Sequence, residues 1–447
     1  MNQIIEQALR LGGNEAELFV LASDSTSVIY ENGALKRIER SEREGGALRV
    51  LQNGKLGFAT TTNFEETDVW VEQALAAAKY GTPFSFDFAK PSTIEVVKPF
   101  DPRIKSFTQE QMLNIGSQAI SYLKKYDPNI ISSCTISKSI QTISVTTSSG
   151  FEQSYDKTLF SFVLSGQLIE KQNFLESYDG IEQTQLEFDL GSYLTSVIEP
   201  FRHGRKNVSI KSGSYSVILT PRALSGILLA LELGLNGKNI VKSISPLKEK
   251  IGRKILDPRI TLFADGTLKG GALFAPFDDE GTPSQKNKLF ERGELKNYLL
   301  DLRTAEELNM YPTGNGLRTG RLFQSKDYLE LPRPAVNSWV LEGGERQFDE
   351  IFLETKQAVL IDQVMGLLMS TQVNGDFAGN IALGYWVENG EIKGRVKDCM
   401  LAGNIYDLLS EKHLEEITQD QRWVLGMHGG THLLPTLFLK EISISAK

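Results

Sequence analysis

His428 and His432 stand four residues apart in "MHGGTHLL" (427–434), the spacing at which zinc hydrolases present two imidazoles from one helix face. A zinc site needs three or four ligands, and this stretch supplies neither a carboxylate nor a third donor. Gly429 and Gly430 between the histidines, and Pro435 beyond them, oppose a helix. The segment reads instead as a glycine-rich surface loop feeding a last strand. A second candidate is "APFDDEGTPSQ" (275–285), where Asp278, Asp279 and Glu280 precede Gly281. Adjacent carboxylates can share a proton or hold Mg²⁺, but acidic residues ahead of Gly and Pro more often cap the amides of a turn, and the turn reading is preferred. "PTGNGLRTG" (312–320), which contains Asn315, is glycine-rich. It lacks the strand–GxGxxG–helix order and the Lys-Ser/Thr pair of a phosphate loop. GxSxG is absent, and Cys134 lies in a strand pattern as a small apolar residue, so spacing defends no nucleophile–base set.

These residues must be positioned by a chain of 447 residues, longer than one hydrophobic core usually serves, so two domains are expected. Hydrophobic residues are 40% and charged residues 23%, an ordinary globular balance. The formal net charge is −8, from 48 Lys+Arg against 56 Asp+Glu. With no basic block, this opposes binding to a phosphate backbone, and no nucleic-acid partner is expected. Two cysteines, Cys134 and Cys399, fit a reducing cytoplasm better than a disulfide scaffold. The first residues carry no basic-then-apolar leader, and no apolar run approaches the roughly 18 residues of a membrane span.

The elements follow from local signals. Ile4, Ile5, Ala8 and Leu9 mark one face of a short helix. "EAELFVLAS" and "STSVIYENG" read as strands closed at Asn32-Gly33, and "GALRVLQNGKLGFATT" as a hairpin turning at Asn53-Gly54. "ETDVWVEQALAAAKYG" is a helix stopped at Gly81, and a second helix starts at Thr108, with Gln111 completing a capping box. Strands return over 130–172, and a helix around "LGSYLTSVIEPF" leads into the basic stretch "RHGRKNVSIKSG". That stretch reads as a solvated connector and places the domain boundary near 200–213. Beyond it, "GSYSVILTPRALSGILLALELGLNG" gives a strand, a turn at Pro221 and an apolar helix over 222–235 ended by Gly234. Hairpins at Arg292-Gly293 and Asn389-Gly390 follow, then a helix over "LAGNIYDLLSEKHLEEI" and a terminal strand. The expected fold is α+β in two domains: residues 1–205 with a mixed sheet and helices, and 206–447 rich in antiparallel strands.

Several long ordered blocks resemble the TldD/PmbA family. They are "EGGALRVLQNGKLGFATTTN", "APFDDEGTPSQKNKLFERGELKNYLLDLRTAEELNMYPTGNG", "GYWVENGEIKGRVKDCMLAGNIYDLL" and the terminal strand. "DFAGNIALGYWVENGEI" and "LAGNIYDLL" are most similar to its TldE (PmbA) branch. The resemblance implies a zinc metallopeptidase of two related subunits that processes small or unfolded peptides, with a "modulator of DNA gyrase" label attached to that peptide biology. In the active subunit HExxxH on a helix precedes a Gly-Leu-Glu-Gly-Asp stretch, and a cysteine before the C-terminal strand is the third protein ligand. Gly234-Leu235-Asn236-Gly237 matches that stretch here, which puts the histidine positions on Leu228 and Leu233, the glutamate position on Leu229 and the cysteine position at about Met427. None of these side chains can do its counterpart's job. The resemblance therefore implies a non-catalytic subunit with no cofactor of its own. Its partner would be an HExxxH-bearing paralogue carrying the zinc, with a homodimer when alone, and its substrate a peptide. His428 and His432 remain an outside metal pair. Asp278, Asp279, Glu280 and Asn315 are the candidate peptide- or partner-contacting residues, and a sheet edge could take an extended peptide. The competing functions are an independent peptidase or metal-dependent hydrolase built on other residues such as Asp278 and Asp279, and a peptide- or gyrase-modulating binding protein.

Overall fold

The structure, a computed structural model, describes residues 2–83, 86–94, 97–170, 173–318, 327–426 and 430–446. The first half runs α1 (Asn2–Arg10), β1 (Glu15–Glu31), β2 (Ala34–Gln52), β3 (Lys55–Thr61), α2 (Thr67–Lys79), α3 (Pro102–Ser106), α4 (Gln109–Tyr126), β4 (Ile131–Thr147), β5 (Glu152–Glu170), β6 (Asn173–Gln183) and α5 (Leu190–Gly204). The second half opens with β7 (Asn207–Val208), β8 (Gly213–Leu219), α6 (Pro221–Leu235), α7 (Gly237–Val241), β9 (Leu262–Asp265), β10 (Lys286–Glu291), β11 (Glu294–Leu295), α8 (Leu302–Glu307), β12 (Gly316–Leu317) and β13 (Arg333–Pro334). It closes with β14 (Trp339–Leu341), α9 (Phe348–Glu354), β15 (Gln357–Met365), α10 (Leu367–Ser370), β16 (Asp376–Glu388), β17 (Glu391–Val396), β18 (Cys399–Asn404), α11 (Ile405–Leu408), β19 (Leu414–Leu425) and β20 (Thr431–Ala446). No helix among the described residues is long and apolar enough to cross a membrane.

The chain folds as a two-domain α+β protein. The first sheet has the order β3-β2-β1-β4-β5-β6, and all its pairings are antiparallel rather than mixed. The two short strands expected before Asn32 are one continuous strand, β1, because "SDST" stays in register with both β2 and β4. The second sheet runs β11-β10-β9-β14-β20-β8-β15-β16-β17-β7, with β18 and β19 joined at its side. Its pairings are mostly antiparallel, with β14–β20, β15–β8 and β17–β7 parallel.

The local signals explain the joints. Asn32-Gly33, Asn53-Gly54, Arg292-Gly293 and Asn389-Gly390 all carry positive φ at both positions, as a type I′ hairpin turn demands. Thr108 and Gln111 form the reciprocal capping box of α4. On α1, Ile4, Ile5 and Ala8 are buried while Leu9 is exposed. The helix expected over 401–417 does not form. Residues 399–404 are strand β18, Asn404 caps the single turn α11, and 414–425 are strand β19. There β18 pairs with β16 and β20 on its two sides, so the sheet's open edge overrides the local helical pattern.

The second sheet is buried on both faces. Along β8 and β15, Val217, Leu219, Val359 and Ile361 pack into the core around α6. The alternate residues Ile218, Ala358 and Leu360 pack with Leu194, Val197, Ile198 and Phe201 of α5. A strand buried on both sides reads as a continuous apolar run rather than an alternating one, as "SVIL" and "AVLI" do.

The halves are also joined by buried charge. Arg49 of β2 bonds Glu17 of β1 through Nε (2.8 Å) and Nη2, and reaches Glu280 of the second half through Nη1 (2.8 Å). Arg318 bonds Glu17 from the other side (3.0 Å). All four side chains are essentially inaccessible. Breaking one partner of such a cluster leaves buried charge uncompensated. Arg49→Ala is therefore expected to lower unfolding stability by about 3–5 kcal/mol, measured by urea denaturation. A loss below about 1 kcal/mol would show that the cluster does not hold the halves together.

Candidate functional site

The positions that the resemblance assigns to zinc lie on α6. Thr220 caps this helix by accepting from the Ala223 amide, and Pro221 stands at its first turn, where a missing amide hydrogen costs nothing. Leu228 is 1% exposed, Leu229 is 7% exposed, and Leu233 is half-buried. Leu228 packs in the core with Leu224, Ile227 and Leu231. A leucine offers no lone pair and no proton, so these three positions hold no zinc and activate no water. Gly234 and Gly237 of the Gly-Leu-Asn-Gly stretch allow close packing. A Cβ on Gly234 would meet the Tyr406 hydroxyl at 2.0 Å, and one on Gly237 would meet Thr304 Oγ1 at 2.6 Å.

The C-terminal hairpin meets this helix, since Ser225 Oγ lies 3.5 Å from the Leu425 carbonyl. Met427 and His428 lie outside the described residues. His432 is not in a loop. It is the second residue of β20, 4% exposed, and its Nδ1 accepts from the Trp339 amide at 3.2 Å. That bond fixes Nδ1 as the unprotonated nitrogen and occupies its lone pair. Among the described residues no group of three or more His, Cys, Asp and Glu is arranged to hold a metal. Of the described positions here, the three leucines of α6 offer zinc no donor atom, and the Nδ1 of His432 is taken by the Trp339 amide.

The acidic turn is the other candidate, and its residues are spent inside the chain. Asp278 Oδ1 accepts from the amides of Glu280 (3.0 Å) and Thr282 (2.9 Å), and Oδ2 accepts from Gly316 (2.9 Å). Asp279 Oδ2 accepts from the Arg318 amide at 2.7 Å. Glu280 accepts from Arg49 and from the Leu302 amide (2.8 Å). Asn315 donates to the Ala335 carbonyl (2.9 Å) and to Asn337, and accepts from Asn287 (3.1 Å). All four are buried, so the turn reading describes the acidic residues, and none of the four presents a surface to a peptide in this conformation. Sequence reasoning missed Glu17, Arg49 and Arg318 as their partners. The available signal was a charged residue inside an apolar strand, in "EAELFV" and "GALRVL", a position that a buried strand fills with charge only when a partner exists.

Burial sets the titration of this cluster. Burial of Glu280 pushes its pKa up to about 7 against the pull of Arg49, and Asp301 and Glu17 push the same way. Asp278 is raised well above the ordinary carboxylate range, by burial and then by Glu280. Burial would lower the Arg49 pKa, but Glu17 and Glu280 together raise it.

The family profile described as the PmbA/TldA metallopeptidase C-terminal domain matches residues 212–446, and that for domain 1 matches residues 16–79. The chain belongs to this PmbA/TldD metallopeptidase family. An uncharacterised protein of Methanocaldococcus jannaschii is 29% identical over 422 residues, 91% of this chain and 93% of its own length. A second protein of that organism, named a metalloprotease, is 24% identical over 95% of this chain and 94% of its own length. The crystal structure of TldE from Thermococcus kodakarensis shares the fold, with a TM-score of 0.89, 22% identity and complete coverage of both chains.

Two outcomes follow. Leu228→Ala should cost about 2–5 kcal/mol, because it opens a cavity in a packed core, whereas Leu233→Ala should cost markedly less, both read from denaturant midpoints. Equal losses would place Leu233 in the core as well. The second outcome concerns pH. An acid whose folded pKa is raised stabilises the fold below its unfolded value and loses that contribution as pH rises through the folded one. The melting temperature should fall as pH rises from about 5 through about 7, and Glu280→Gln should flatten the dependence. A wild-type slope in that variant would remove Glu280 as its source.

Proposed function

We propose that this chain is the non-catalytic, TldE-like subunit of a two-component metallopeptidase acting on small or unfolded peptides, and that a paralogue with intact HExxxH carries the zinc. The observation that carries this reading is α6. Three leucines stand where the resemblance puts two imidazoles and a general base, and the helix is packed as a core element. In place of an empty polar site, which would carry unpaired buried groups, the helix has apolar side chains. The chain then contributes surface rather than chemistry: a heterodimer face for the paralogue and part of the wall that meets the peptide. Alone, it forms a homodimer. The −8 charge opposes a nucleic-acid partner, and two unpaired, buried cysteines support a cytoplasmic setting.

The test is co-expression with the HExxxH-bearing paralogue, followed by light scattering, elemental analysis and a peptidase assay on unfolded casein. The expected result is a complex holding about one zinc per pair of chains, with chelator-sensitive cleavage by the complex and none by this chain alone. Near-equimolar zinc and chelator-sensitive cleavage in the isolated chain would overturn the reading. So would a monomer both with and without the paralogue across micromolar concentrations.

A further inference from the structure

β2 is covered along only part of its length. Its outer edge pairs with β3 from Gly46 to Gln52, whereas residues 34–45 pair with β1 alone. Residues 34–44 are all exposed, so this stretch meets solvent on both faces as well as along its edge. An antiparallel strand ordinarily buries one face on a core. Here the β1 ladder alone holds the strand, and on its outer side no backbone partner faces residues 34–45 among the described residues. Such a row of unpaired amides and carbonyls is a template for another strand.

The charges on this edge alternate in sign: Lys36, Arg37, Glu39, Arg40, Glu42, Arg43 and Glu44. Along its own chain Arg37 meets Glu39 at 2.6 Å, and Arg40 meets Glu42 at 2.6 Å and Asp24 at 3.0 Å. These groups are exposed, and ion pairs in such places contribute little, so exchanging one for a pair across an interface costs little. Charge on an edge strand commonly protects it from pairing. Protection against a second copy of the same strand requires like charges to meet.

Two copies joined edge to edge about a two-fold axis normal to the sheet set residues equally far on either side of the axis opposite each other. Side chains of the same face must meet, so the axis passes through a residue and not between two. An axis at Arg40 opposes Arg40 to its own copy and Arg37 to Arg43. At Glu39 or Glu42 it opposes a glutamate to itself, and at Ile38 it opposes Lys36 to Arg40. At Ser41 no like charges meet: Arg40 of each copy faces Glu42 of the other, and Glu39 faces Arg43. This register ends with Arg37 opposite Gly45, just before β3 takes over the edge at Gly46. It also ends at a bulge, because β1 skips Lys36 between Leu35 and Arg37, and a bulge bends a strand out of its ladder.

We infer that residues 37–45 of β2 pair antiparallel with the same residues of a second copy of this chain, with the two-fold axis at Ser41, joining the two first sheets into one. The inference names the surface of the homodimer proposed above and rests on that reading. Main-chain bonds supply the attraction whatever the side chains are, and the opposed charges fix the register, since like charges directly opposite destabilise a strand pair.

The test uses the full-length chain. Arg40→Glu puts a carboxylate opposite Glu42 on both sides of the axis and should raise the dimer dissociation constant by roughly a hundredfold in sedimentation. Adding Glu42→Arg restores opposite signs and should restore the dimer. Both positions are exposed, so the circular dichroism spectrum should be unchanged in each variant. Ser41→Cys sets two thiols on directly opposed residues, about 4.5–5.5 Å apart between Cα atoms, and should give a disulfide-linked dimer on air oxidation. Arg37→Cys, whose two copies lie ~27 Å apart along the strands, should not. The native Cys134 and Cys399 are buried and do not compete. A dimer that survives Arg40→Glu with wild-type affinity, a loss that Glu42→Arg does not rescue, or a Ser41→Cys dimer that does not cross-link overturns the pairing and leaves the homodimer reading standing. A wild-type monomer removes the homodimer reading itself, and the pairing with it.

Discussion

Arg49 lies across the join between the halves, with Glu17 on its own sheet and Glu280 in a turn of the second half. The rest of the interior polar structure depends on it. Glu280 follows Asp278 and Asp279 in one turn, and those two carboxylates bind the amides of Gly316 and Arg318. Asn315, one residue earlier, ties that segment to Ala335 and Asn337. Two residues on, Trp339 donates to His432 at the base of the terminal strand. A continuous set of bonds thus runs from β2 to the hairpin beside α6. Burying four charged side chains costs several kcal/mol per ion before pairing. Such a cluster fixes which arrangement of the halves is allowed, because any shift strands a charge in a medium that cannot solvate it.

This division of labour explains what the sequence reveals. Signals that act within a few residues are legible: the four two-residue turns, the capping box at Thr108, and the apolar helix read over 222–235, which begins one residue earlier at Pro221. The apolar run of β8 is legible too, since burial on both faces leaves no alternation. What fails is whatever depends on remote partners. "LAGNIYDLLSEKHLEEI" has helical spacing, yet its ends are claimed by β16 and β20. Arg49 and Glu280 are 231 positions apart, and no local pattern connects them. The acidic turn was readable as a turn from Gly281 and Pro283, but its clamp on residues 316–318 was not. The cleft between α5 and α9 was equally hidden, because its walls come from α5, α6, α9 and four strands.

The sheet between α6 and α5 has two faces of opposite character. On the α6 face, Leu228 packs in the core with Leu224, Ile227 and Leu231, while Leu229 is buried and Leu233 only half-buried. On the α5 face, packing is left incomplete: aromatic rings stack at an open edge, and a tyrosine hydroxyl ends without a partner. Arg222 links the two, rooted in the first turn of α6 and held over the Tyr178 ring by carboxylates of β6 and β15. Because Arg222 is the second residue of α6, ordering of the cleft wall and placement of the helix are coupled through one side chain.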